Sequence, residues 1–188
     1  GADVNNSGNV DFVDFALLAQ HWLEEGTANP NLIGWWKFDY GYGSIAADSS
    51  GNRNNGTLVG DANWGPGKED VAVDFDGSGD GVTISNESNF DITGNITVMA
   101  WIKANEPGIN RYTYFVSKGS TSSWKLYMRN SVCRAIFECD GLGGYDNVWG
   151  SANMSDGQWY HLAGVYDGSK IYMYVNGNLD SWQNASGA

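Results

Sequence analysis

Residues 158–182 read QWYHLAGVYDGSKIYMYVNGNLDSW, and this stretch decides the fold. Short runs of β-branched and aromatic residues are broken twice by turn formers, first Asp167-Gly168-Ser169 and then Asn176-Gly177. Asn-Gly supplies the positive φ that a two-residue type I′ turn requires, so the pattern predicts two consecutive hairpins. The same grammar runs upstream through LIGWWKFD, VAVDFD, GVTIS, ITVMAWIKA, YTYFVSK, WKLYMR and VCRAIFE, separated by clusters of Gly, Asn, Asp and Ser. That spacing predicts an all-β sandwich or barrel. A run apolar on both faces, such as ITVMAWI, predicts a strand in a sheet interior.

Composition bounds the function. The chain has 188 residues with ten Lys plus Arg against 22 Asp plus Glu, a formal net charge of −12. Phosphate backbones are held by clustered cations, so this balance excludes nucleic acid as the expected partner. No apolar run reaches the roughly 20 residues of a membrane span. Cys133 and Cys139 lie within MRNSVCRAIFECD, residues 128–140, which reads as one strand. At about 3.3 Å per residue their Cα atoms would stand beyond disulfide reach, so both are expected as buried thiols unless a bulge or turn brings them together. Sequons at Asn5, Asn55, Asn86, Asn95, Asn153 and Asn184 hint at an exported protein.

The N-terminal 29 residues differ in kind from the rest. Asp3, Asn5, Ser7, Asn9, Asp11 and Asp14 fall on positions one, three, five, seven, nine and twelve of a calcium loop, with Gly8 at the sharp turn in position six. Ca²⁺ takes hard oxygens, and a loop curled around the ion can aim side chains and a carbonyl at one point. Residues 11–25, DFVDFALLAQHWLEE, follow with helical spacing and so much apolar circumference that the helix must dock on something. The stretch from about residue 2 to 24 resembles half of a dockerin, although Phe12 and Val13 stand where dockerins carry small polar recognition residues.

The remainder resembles the laminin-G-like, concanavalin A-like jelly-roll family. The residues that carry the likeness are LIGWWKFDYGYGSIAADSSGNRNNGTLVG, VAVDFDGSGDGVTIS, ITVMAWIKA, FVSKG and DGQWYHLAGVYDGSKIYMYVNGNLD, in that order. The resemblance implies two antiparallel sheets used to bind sugars, glycoproteins or proteins, often with calcium at the rim. It also implies strands beyond the Asn-Gly hairpin, where this sequence ends at Ala188. Either the sequence is a truncated piece, or the missing strands leave an open groove that another chain's strand could fill; with the apolar helix, the second case suggests head-to-tail assembly.

Catalytic signals are weak. The E-x-D-x-x-E pattern of laminarinase-type relatives does not occur. Asp74, Asp76 and Asp80 surround Gly77-Ser78-Gly79 and read as a turn, the functional alternatives being a second calcium site shared with the turn Asp48 to Asn52 or an acid/base pair. His161 reads as a packed histidine, and His21, Lys37, Lys118 and Lys125 have no catalytic company. Trp35, Trp36, Trp101 and Trp159 lie in strands and are expected in the core. Tyr112, Tyr145 and Trp149 flank or occupy Gly-rich loops, where an exposed ring could stack on a sugar.

The expectation is therefore a mainly β protein: a calcium loop and helix over 1–29, then a two-sheet antiparallel jelly-roll sandwich over 30–188. Its expected role is non-enzymatic: an extracellular or cell-surface calcium-binding module for adhesion, glycan or surface-protein binding and assembly. The alternative is a subunit of an extracellular filament, binding copies of itself by helix docking and strand complementation.

Overall fold

The computed structural model describes residues 29–104, 112–119, 124–140 and 145–185. The expected calcium loop (Asp3, Asn5, Ser7, Asn9, Asp11, Asp14), the helix after it and His21 lie outside the described residues. Those that are described form mainly antiparallel sheet, arranged as a jelly-roll-like sandwich. None of their helices is long and apolar enough to cross a membrane. Contacts divide the chain into two compact units, one of residues 26–91 and the other containing residues 92–188.

In residues 26–91, strands β1 (Ile45–Ala46), β2 (Gly56–Val59) and β5 (Gly81–Ile84) form one sheet, and β3 (Asn63–Pro66) pairs with β4 (Val71–Asp74). The expected strand LIGWWKFD is not one: over it the backbone makes a single bridge, Trp36 with Asp48. The reason is local. Phe38 takes positive φ, which a regular strand excludes, and side chains take over the backbone's hydrogen bonds. Asp48 accepts from the backbone N–H groups of Trp35, Ser50 and Asn54 at 2.9 Å each and from the Ser50 hydroxyl at 2.8 Å. Buried Asn54 donates to the Ile33 carbonyl and accepts from Asn89. DSSGNRNN is thus a polar knot.

In residues 92–188, two four-stranded sheets face each other. One is ordered β10 (Tyr145–Trp149), β9 (Arg134–Asp140), β8 (Trp124–Arg129), β7 (Tyr112–Ser117). The other is ordered β13 (Asn178–Asn184), β12 (Lys170–Val175), β11 (Trp159–Tyr166), β6 (Ile96–Lys103). β6 stands at the end of that order, not in the interior that its apolar run predicted. The two predicted turns are present: Gly168 has φ 96°, and Asn176 and Gly177 have φ 50° and 79°. Leu126, Met128, Phe137, Val148, Leu162, Ile171 and Met173 close the core between the sheets. Gly164 of β11 allows the sheets to approach there, because a Cβ would run into the ring of Phe137.

Two expectations fail for related reasons. MRNSVCRAIFECD is a hairpin, with a turn over Asn130–Cys133 in which Cys133 adopts φ 49°. Both cysteines are free, and Cys139 is buried. No tryptophan is a core residue among the described residues. Trp101 is 50% exposed, because the odd positions of β6 point away from the side that buries Ile96, Val98 and Ile102.

Candidate functional site

Alternation along a strand sends every second side chain to the outer face of a sheet. On β8 and β9 the core takes Leu126, Met128, Ala135, Phe137 and Cys139, leaving Lys125, Tyr127, Arg129, Arg134, Ile136 and Glu138 on the other side. The register then builds rows across the sheet. One row is Ser117, Lys125, Glu138, Asn147; the next is Tyr114, Tyr127, Ile136, Trp149; the third is Tyr112, Arg129, Arg134. A bulge at Phe115 keeps Tyr114 and Ser117 on this face.

The middle row is aromatic. Tyr127 has Tyr112 edge-on at 5.5 Å and Tyr114 tilted at 5.4 Å. Tyr114 is 55% exposed and Trp149 39%, while Tyr127 and Ile136 between them are buried. The Trp149 indole donates to Asn147 Oδ1 at 2.9 Å, which fixes the ring. Beside this row, Lys125 Nζ meets Glu138 Oε1 at 2.5 Å and the Tyr127 hydroxyl donates to Oε2 at 2.8 Å. Glu138 is 2% exposed, so its two oxygens are held by a cation and a hydroxyl.

Of the expected sugar-stacking residues, the structure places Tyr112 and Trp149 on this one face, at strand ends that flank loops: Tyr112 opens β7 and Trp149 closes β10. Tyr145 enters as the first backbone position of β10, paired with Asp140; its side chain lies outside the described part. Tyr114, Tyr127 and Arg129 were missed. The signal that could have found Tyr127 and Arg129 is the odd-numbered spacing of Lys125, Tyr127 and Arg129 in WKLYMR, a polar-aromatic face opposite an aliphatic one; for Tyr114 it is the i, i+2 spacing from Tyr112 in YTYFVS.

The acidic residues group differently from expectation. Asp48 does not join Asp76 and Asp80, since its oxygens are occupied by the knot described above. Asp61 does: its carboxylate lies with those of Asp76 and Asp80, ligand atoms all within 4.8 Å of one another. The Asp80 carboxylate accepts from the backbone N–H groups of Asp76 at 2.8 Å and Asp61 at 2.9 Å. The hydrogen bond shared with Asp80, then the negative charges of Asp80 and Asp76, hold the Asp61 carboxyl above its ordinary value. Asp74 carries no part of this group.

His161 is 6% exposed and edge-on to Trp101 at 5.2 Å, and burial lowers its pKa, so it rests as a neutral packed ring. The sequons at Asn55, Asn86, Asn95, Asn153 and Asn184 are all exposed; Asn5 lies outside the described residues.

A family profile, Laminin G 3 of the concanavalin A-like lectin/glucanases superfamily, matches residues 76–188. The chain belongs to this family. The matched region contains all three rows of the aromatic face. Among solved structures, the chain is similar to domain 4 of AbnA, an extracellular GH43 arabinanase from Geobacillus stearothermophilus, in complex with arabinotriose. Identity there is 19% and the TM-score 0.53, over 76% of this chain and 73% of that one. It is also similar to an S-layer domain-containing protein from Clostridium thermocellum, at 20% identity and TM-score 0.41 over 80% and 71% of the two chains. A third similar structure is the LG4-5 domain pair of the mouse laminin α1 chain, at 21% and 0.41 over 52% of this chain. The match spans a quarter (25%) of that laminin fragment. No curated protein sequence matches the chain.

Proposed function

We propose that the chain is a non-enzymatic, extracellular module that binds a glycan, free or on a surface protein, across the outer face of the β7–β10 sheet. The observation that carries this reading is the row Tyr114, Tyr127, Ile136, Trp149, with a buried floor and exposed flanks. Rings fixed in this way offer apolar faces to the C–H side of a sugar, and the neighbouring polar row offers hydrogen bonds to its hydroxyls. The arabinotriose in the similar arabinanase domain supports the choice of ligand.

Glycoside hydrolysis uses two carboxyl groups flanking the scissile bond. Among the described side chains of this face Glu138 is the sole carboxylate, and both its oxygens are engaged. That supports binding without hydrolysis. Calcium belongs to the proposal at two places. Asp3, Asn5, Ser7, Asn9, Asp11 and Asp14 match a loop motif, and Asp61, Asp76 and Asp80 offer acceptor-only hard oxygens in a turn curled by Gly77 and Gly79. Bound there, the ion would neutralise crowded carboxylates and brace the turn.

Titration of the whole chain against an oligosaccharide panel tests the reading. Trp149→Ala and Tyr114→Ala are each expected to weaken binding about tenfold, which is about 1.4 kcal/mol. Retention of no glycan at all, or release of reducing ends from any of them, would overturn it. Size-exclusion chromatography with calcium and with EDTA separates this reading from the filament alternative: a monomer that binds glycan favours the module, and polymers formed in calcium alone favour the filament.

A further inference from the structure

The third row of the same face is what remains to be explained. Arg129 and Arg134 are directly opposed across the β8–β9 pair, where Cβ atoms stand about 4.5–5.5 Å apart and like charges repel. In a chain with 22 acidic residues against ten basic ones, two guanidinium groups held together should each have found a carboxylate. Neither has one among the described residues, whereas Lys68 pairs with Glu69 and Lys125 with Glu138. The Arg129 guanidinium instead lies over the Trp149 ring, 5.7 Å from its centre, and its Nε is buried with no hydrogen-bond partner. Buried donors left unpaired are costly and rare. The row therefore holds two opposed positive charges and a buried unpaired donor, next to the ring of Trp149, one face of which the Arg129 guanidinium covers.

We infer that Arg129 and Arg134 bind the anionic group of an acidic saccharide, a carboxylate or a sulfate, whose ring stacks against the Tyr114–Trp149 row. The inference rests on the glycan-binding reading above and specifies its ligand class. Chemistry supports the choice of anion. A guanidinium presents planar, paired donors that match two oxygens of a carboxylate or sulfate, and two such groups side by side can bridge one anion while losing their mutual repulsion. The surrounding acidity then has a role, since it disfavours polyanions elsewhere on the molecule and leaves this row as the place where an acidic sugar is tolerated.

The test uses the full chain and three trisaccharide probes: trigalacturonate, a sulfated galactotriose and neutral galactotriose, each titrated calorimetrically at low and at physiological ionic strength. The expected result is binding of one or both acidic probes at least about tenfold more tightly than the neutral one, with the preference shrinking as salt rises. Arg134→Gln, at an exposed position, should reduce the preference to about twofold or less, and Arg134→Glu should reverse it. Lys170→Gln, where the ammonium lies over Trp182 in the other sheet, should leave it unchanged. Because Arg134 lies on the surface and its charge opposes that of Arg129, its variants should melt at or above the wild-type temperature, so folding defects do not confuse the result. Equal affinity for acidic and neutral probes, or a preference that survives Arg134→Glu, overturns the inference while leaving glycan binding standing. Failure to bind any saccharide overturns both.

Discussion

At the residue scale, single carboxylates hold turns in place, and their titration should be visible. Asp167 opens the β11–β12 turn, where burial raises its pKa but donors from Lys170, Ser169 and Tyr172 outweigh that and leave it below the ordinary value. Asp48 behaves alike: burial raises its pKa, and hydrogen bonds from Trp35, Ser50 and Asn54 bring it below 3.8. A depressed native pKa means that the unfolded chain binds more protons in this window. The stabilisation is therefore complete above about pH 4 and lost as pH falls through the native value. Urea midpoints measured from pH 6 downward should decline on approaching that range, and Asp167→Asn should flatten the decline. An unaltered slope in the variant would contradict the account. Tyr172 provides a second readout. Burial and then its hydrogen bond to Asp167 push it up to about 12, so its ultraviolet titration should move to lower pH in Asp167→Asn.

At the element scale, the strands that were legible are those with a two-residue period and long β-branched or aromatic runs, such as β8, β11 and β12. β3, with the sequence NWGP, sets one Trp among Asn, Gly and Pro, and in β10, YDNVW, the turn formers Asp146 and Asn147 interrupt the run; pairing with β4 and β9 makes them strands. LIGWWKFD shows the converse. Its composition is that of a strand, but the Asp48 knot competes for its backbone and wins. Sheet stacking, too, depends on one position that carries no side chain. At Gly164 a methyl group would enter the ring of Phe137, which is fully buried between the sheets. Gly164→Ala should cost about 1–3 kcal/mol by overpacking, seen as a lower denaturant midpoint with unchanged slope. A variant as stable as the parent would mean that the sheets separate more easily than the packing implies.

At the scale of the whole molecule, a net charge of −12 on 188 residues makes self-repulsion a general term. Raising ionic strength from about 0.01 M to about 0.15 M shortens the screening length from about 30 Å to about 8 Å. The melting temperature of the ligand-free chain should rise over that range, whereas the acidic-sugar affinity inferred above should fall. A melting temperature insensitive to salt would show that the acidic groups are already compensated. The opposite signs separate a global field from a local site, because the Arg129–Arg134 row is basic within an acidic surface.

The division between sequence and tertiary structure follows from range. Local chemistry determined the strand periodicity, the Asp167-Gly168-Ser169 and Asn176-Gly177 turns and the all-β class, since each depends on neighbours within a few residues of the chain. Tyr112 and Trp149 could be chosen as ring candidates for the same reason. Only the tertiary structure decided that they share a face with Tyr114 and Tyr127, that Arg129 lies opposite Arg134, and that Asp61 joins Asp76 and Asp80 in place of Asp48. Those juxtapositions are fixed by strand order and register, and register is set by which side chains the core of the whole sandwich will accept.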